Sequence, residues 1–190
     1  MKQVIIYLLV GFFMPAQAIV GGQNVTEADL ASKSTVGLSN GCTGTLIAKE
    51  FVLTAAHCVR SGRDINIIFG FQFSKGIRVP VDGIRSHKMY NGASGGVSPE
   101  SPSKKPVHDI AVLHLSLPAP SGFEPALVGL DEILKKGEPL LLAGYGQTDP
   151  NTGTGFGRLR QVETLFNFYN EKALEIVFGP TPGLSACKGD

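Results

Sequence analysis

Across 190 residues, 17 basic and 16 acidic side chains nearly cancel, 43% of positions are apolar, and 24 Gly and 12 Pro are scattered without period. The near-neutral balance argues against nucleic acid or another polyanion as the partner. The apolar share is enough for packed cores in one domain or two small lobes, and the unpatterned glycines exclude collagen and solenoid repeats.

Residues 1–18 differ in character from the rest. Lys2 supplies a positive start, residues 4–13 ("VIIYLLVGFF") form an apolar run, and Ala16-Gln17-Ala18 places small residues where signal peptidase cuts. The run is too short to span a bilayer. The expectation is a signal peptide over 1–18, a mature chain starting at Ile19, a secreted, periplasmic or extracellular location, and no membrane association after cleavage. Export permits disulfides. Asn24-Val25-Thr26 is a glycosylation sequon, relevant in a host that glycosylates.

The next runs, 43–48 and 51–55, are β-rich and separated by a polar Lys49-Glu50 turn. Cys42 and Cys58 flank this hairpin, whose adjacent strands bring their ends together. A disulfide between them is geometrically reasonable and would steady His57, the neighbour of Cys58. Cys187 is then left over, and an odd cysteine in an exported chain calls for a partner or a reactive role. Zinc held by Cys42, His57 and Cys58 is the competing reading, and export with hairpin geometry favours the disulfide. No metal site is expected.

Further strand-like runs follow at 65–73, 77–81, 110–117, 139–143, 160–168 and 174–178, each ended by Gly, Pro, Asn or Asp. Helical signals are confined to 131–137 ("DEILKKG") and the turn after "TAAHCV". Residues 91–106 carry almost no large apolar side chain and read as a surface loop. A composition break at 129–139 separates two β-rich segments and suits two packed lobes.

Two residues carry candidate chemistry. His57 lies at the end of an apolar strand, where a lone imidazole is most simply a hydrogen-bonded core group. Asp109 precedes a run that is largely buried if it is a strand, so its carboxylate needs a partner. An imidazole N–H is the partner that acid–base catalysis would want; a strand-start or turn carboxylate is the plain alternative. His87, before a turn and Tyr90, and His114, inside the 110–117 strand pattern, read as structural. His108 is expected to point away from Asp109 along a strand. The glycines at 152–157 lack the strand and helix context of a nucleotide loop.

Taken together, "IVGG" (19–22), "CTGTLI" (42–47), "LTAAHC" (53–58), "HDIAVLHL" (108–115), "GYGQT" (144–148) and "ACKGD" (186–190) resemble, in order, the motifs of the chymotrypsin/trypsin-like serine proteases. The resemblance runs from Ile19 to Asp190. It implies an all-β fold of two six-stranded Greek-key β-barrels, the first at about 30–130 and the second, incomplete, at about 131–190. It implies a serine endopeptidase acting on polypeptide substrates, open to protein protease inhibitors and needing no cofactor.

Position by position, the resemblance makes His57 the general base and acid and Asp109 the carboxylate that orients it. Gly189 supplies an oxyanion-hole N–H, Ile19 and Asp190 form the N-terminal ammonium pair, and Ser185 sits at the base of the specificity pocket. A Ser there resembles the members that prefer apolar or aromatic side chains. His108 is a departure, since the family usually has Asn or another polar residue at that place.

In the family the nucleophilic Ser follows "GD" directly, and here Asp190 is the last residue. The expectation is therefore a chain truncated before its nucleophile, inactive as it stands, with the missing partner of Cys187 lost by the same event. No Lys or Arg separates Lys2 from Ile19, so signal cleavage alone is expected to free the Ile19 ammonium without a propeptide. The alternative is a non-catalytic homologue acting as a secreted binding module.

Overall fold

The computed structural model describes residues 22–60, 64–90, 108–129, 133–147, 154–170 and 175–178. After a two-residue strand β1 (Gln23–Asn24) and one helical turn α1 (Ala31–Ser34) come β2 (Thr35–Leu38), β3 (Thr43–Ala48), β4 (Phe51–Thr54), β5 (Asn66–Phe69), β6 (Ile77–Ser86) and β7 (Ala111–Leu115). Strands β2 to β7 close into a barrel in the order β2-β3-β4-β7-β6-β5, every pairing antiparallel. Closure leaves the barrel no free edge.

Alternation decides what fills it. Along β7, Ala111, Leu113 and Leu115 are buried while Val112 and His114 lie between them on the outer face. Val36, Leu38, Leu46, Val52, Ile67 and Phe69 join them in one core cluster. Each fully buried side chain of this size stabilises by about 1.5–3 kcal/mol relative to exposure. The tight link from β2 to β3 turns at Gly41, where φ is 102° and the Gly41 N–H donates to the Leu38 carbonyl at 2.8 Å.

The strand order is the feature that matters for function. The chain leaves β4, crosses to β5 and β6, and returns as β7 between β4 and β6. Thr54, the last residue of β4, therefore pairs with Ala111, the first residue of β7. Whatever follows β4 is brought beside whatever precedes β7.

The second half forms an open sheet from β8 (Pro139–Gly144), β9 (Arg160–Asn170) and β10 (Glu175–Phe178), with β9 paired to both. β1 also pairs with β9, Gln23 opposite Gln161, so the first strand in sequence belongs to the second sheet. Val25, Ala31, Tyr145 and Leu159 make a separate core with Phe71, Phe73 and Ala143 packed on it. Tyr145 seals the junction with no exposed surface: its hydroxyl donates to the Gly70 carbonyl at 2.7 Å, and its N–H donates to Thr43 Oγ1 at 3.1 Å. Burial pushes the Tyr145 phenol well above the usual tyrosine range.

The all-β expectation thus appears as one closed barrel and a second, open sheet. Several local readings change. The 65–73 run is strand only at β5, because the chain bends at Gly70, where φ is 135°. The 77–81 run continues to Ser86, held by pairing with β7. The 110–117 run is strand at Ala111–Leu115, and Ile110 and Leu117 at its ends are exposed. No helix forms over 133–137, where the chain turns at Gly137 with φ of 89°. Residues 1–21, 91–107 and 179–190, and with them the surface-loop reading of 91–106, lie outside the described residues.

Candidate active site

Beyond Thr54 the chain winds into a 3₁₀ turn, Ala56–Val59, that carries His57. Its start is anchored by Cys58 N–H donating to the Ala55 carbonyl at 3.1 Å, and Asn40 Nδ2 donates to the Cys58 carbonyl. The disulfide between Cys42 and Cys58, with Cα atoms 6.1 Å apart, ties this turn to the start of β3. The hairpin reading of these two cysteines matches the bond seen here.

Opposite the end of β4, Asp109 lies in the segment that leads into β7, two residues before its start. The β4–β7 register sets it against the 3₁₀ turn, and both carboxylate oxygens are used on His57. Oδ1 accepts the His57 backbone N–H at 2.8 Å, and Oδ2 lies 2.7 Å from Nδ1. A carboxylate offers only acceptors, so Nδ1 carries the proton, in the neutral ring as in the imidazolium. In the neutral ring Nε2 is then unprotonated. Its neighbour is Cys58 Sγ at 3.4 Å, a disulfide sulfur with no proton to give, so the lone pair is left for an incoming hydroxyl. The His57 side chain is 34% exposed and that of Asp109 17%, so the ring is the more accessible of the two.

Tyr90 lies within electrostatic reach of the Asp109 carboxylate and is hydrogen-bonded to Arg60. Burial pushes the Tyr90 phenol up, the Asp109 charge adds to that, and the charge and hydrogen bond of Arg60 oppose it. One phenol thus senses both the Asp109 carboxylate and the Arg60 guanidinium.

The ligand atoms of Cys42, His57 and Cys58 lie within 4.8 Å of one another. Because the two sulfurs are bonded to each other, neither offers a thiolate, and the cluster is not a zinc set.

His87 lies just before the turn at 88–89, as read from the sequence, while His114 and His108 depart from the sequence reading. His114 is not buried: its side chain is 42% exposed, its ring meets Phe51 edge-on at 5.0 Å, and Nδ1 lies 2.5 Å from Asp82 Oδ1. A pair so exposed contributes little to stability. His108 precedes β7 and is not part of a strand; it adopts φ of 55° and stacks on His87, which no local pattern signals. The cue available in the sequence was the ring beside Asp109 itself. Asn24 sits exposed in β1, its Oδ1 accepting from Arg160 Nε at 3.2 Å. Ile19, Ser185, Gly189 and Asp190 lie outside the described residues.

Known proteins resemble this chain in sequence and in fold. The family model described as Trypsin matches residues 19–173. Cathepsin G of Mus musculus is 29% identical over 199 residues, covering 92% of this chain and 70% of that protein. Serine protease 23 of Mus musculus is 40% identical over 68 residues; the match takes in 36% of this chain and spans 16% of that relative's length. Among solved structures, the mouse brain serine protease neuropsin superposes with a TM-score of 0.71 at 19% identity, over 89% of this chain and 78% of that one. At that identity the likeness concerns the fold.

Proposed function

This chain belongs to the trypsin family of serine proteases, and from that premise we propose that His57 and Asp109 are the base and orienting acid of a serine endopeptidase acting on polypeptides. The observation that supports the reading best is the double attachment of Asp109 to His57, at 2.8 Å and 2.7 Å. In this reading Nε2 takes the proton of an attacking hydroxyl while the Nδ1–H···Oδ2 bond holds the tautomer and stabilises the imidazolium that results. Later the same nitrogen returns the proton to the leaving amine. The hydroxyl is that of a serine, which the family pattern puts directly after Asp190, and peptide-bond hydrolysis runs through an acyl-enzyme.

Four further assignments belong to the proposal. Gly189 gives one N–H to the oxyanion, Asp190 receives the ammonium of Ile19, and Ser185 lies under the substrate side chain in a pocket suited to apolar or aromatic groups. A signal peptide over 1–18 directs the chain out of the cytoplasm, a reading supported by the Cys42–Cys58 disulfide. Among the described residues no helix is long and apolar enough to cross a membrane. Protein protease inhibitors are candidate partners.

The test pairs two measurements. Sequencing the transcript past the Asp190 codon is expected to read Ser-Gly-Gly-Pro, and the polypeptide carrying it to cleave peptide esters in a manner abolished by His57→Ala. A complete second barrel with another residue in place of that Ser would instead make the protein a secreted binding homologue. Ester cleavage that survives His57→Ala would overturn the role given to His57.

A further inference from the structure

The residue before Asp109 holds an unusual conformation. His108 has φ of 55°, the one non-glycine residue with positive φ among the described residues. Side chains resist that region, Asn, Asp and His less than most and β-branched residues more, so it persists where surrounding contacts enforce it. Those contacts are visible. Ile110 N–H donates to the His108 carbonyl at 2.8 Å, closing a three-residue turn with Asp109 at its apex. The Ile110 carbonyl in turn accepts from His87 N–H at 2.9 Å.

The ring is anchored too. His108 lies flat on His87, centroids 4.5 Å apart and planes 11° from parallel. His87 is itself fixed, since Met89 N–H donates to its Nδ1 at 3.2 Å and Tyr90 N–H to its carbonyl at 2.9 Å. A metal shared by the two imidazoles is excluded by this geometry. Ring lone pairs lie in the ring planes, and nearly parallel planes do not converge on one ion.

We propose that His108 is a positioning residue, whose left-handed backbone and ring seated on His87 form the turn that aims the Asp109 carboxylate at His57. The proposal rests on the His57–Asp109 assignment made above. It goes further in locating what holds the acid: the turn at 87–90, which seats the His108 ring. A rigid support of this kind matters because an orienting carboxylate displaced by a fraction of an ångström loses one of its two bonds.

The test uses the 190-residue chain labelled with 15N-histidine. The His57 Nδ1 proton, bonded to a carboxylate, should resonate far downfield and exchange slowly with water. His108→Val, whose β-branch resists positive φ, and His87→Ala, which removes the ring partner, are each expected to speed that exchange about tenfold or more and move the signal upfield. His108→Gly, free to keep the turn but without a ring, should fall between them and the parent. Unchanged shift and exchange in both His108→Val and His87→Ala would overturn the proposal. If His108→Val does not fold, His87→Ala decides alone, with the Val52 and Leu113 methyl signals reporting that the barrel is intact. A parent chain without the downfield proton would instead overturn the His57–Asp109 pairing itself.

Discussion

Asp109 holds His57 by backbone and ring at once: one carboxylate oxygen accepts the amide N–H of the 3₁₀ turn and the other faces Nδ1. The two bonds fix both where the turn sits and how the imidazole is rotated. Removing either acceptor therefore has a defined consequence.

Asp109→Asn keeps the volume but can present an acceptor to only one of the two His57 donors, setting an NH₂ against the other. In a polypeptide that carries the catalytic serine, kcat/KM for a peptide ester is expected to fall on the order of 10²- to 10⁴-fold, with circular dichroism unchanged. Activity within a factor of two of the parent would contradict the orienting role.

The Cys42–Cys58 bond closes a loop of sequence separation 16 and carries the His57 turn. Replacing both cysteines with serine should lower unfolding free energy by about 3 kcal/mol, measured by urea titration against the oxidised parent. Reduced parent protein is expected to match the double variant.

Tyr145 makes the junction between barrel and second sheet sensitive to alkali. Its phenol is raised above the ordinary value of 10.0 by burial, so the folded state prefers the protonated form. That contribution is whole below the unfolded-state value and is lost as pH rises beyond it, where the unfolded chain ionises freely. Stability should therefore fall above about pH 10, with the Tyr145 phenolate absorbance emerging only on unfolding. Tyr145→Phe should flatten this dependence while costing about 1–3 kcal/mol at neutral pH, because the Gly70 carbonyl loses its donor.

Gly37 is required by a neighbour. A Cβ there would stand 2.2 Å from the Phe73 ring, which is packed against Tyr145 and Phe156 with centroids 5.0 and 5.1 Å away. Gly37→Ala should displace Phe73 and destabilise by roughly 1–3 kcal/mol. Differential scanning calorimetry would check it, and no change in Tm would show that the ring yields freely.

At the acid end, Asp29 accepts from the Thr26 N–H, the Thr26 hydroxyl and Gln161 Nε2, each at 2.7 Å. These bonds, the Thr26 backbone bond foremost, hold its carboxyl below the usual range. A depressed folded-state value means stability present above the unfolded-state value and lost as pH falls through the folded one. Asp29→Asn should weaken the acid dependence of unfolding below about pH 4, read from denaturation midpoints across pH; an unaltered profile would count against it.

Much of the strand layout was legible because many of the strands alternate. The bounds of β3 matched the 43–48 run, and the 139–143 and 160–168 runs fell within β8 and β9. The strand β2 escaped notice because all its residues are buried, including Thr35 and Gly37, so it shows no alternation. β1 is two exposed residues that are strand only because β9 lies beside them. His114 misled for the opposite reason: its strand is regular, but its place in the alternation faces out toward Asp82.

What the amino-acid order determined by itself was local. It set the β-rich runs, the Cys42–Cys58 hairpin, and the placing of His57 just past one strand and Asp109 just before another, because side-chain periodicity and turn chemistry act over a few residues. The tertiary structure decided what meets. Inserting β7 beside β4 is a long-range choice made by burial of a whole barrel core, and it brings residues 57 and 109 within 2.7 Å. The seat of His108 on His87 and the Tyr145 junction arise the same way, from contacts whose free energy exists only once the barrel has closed.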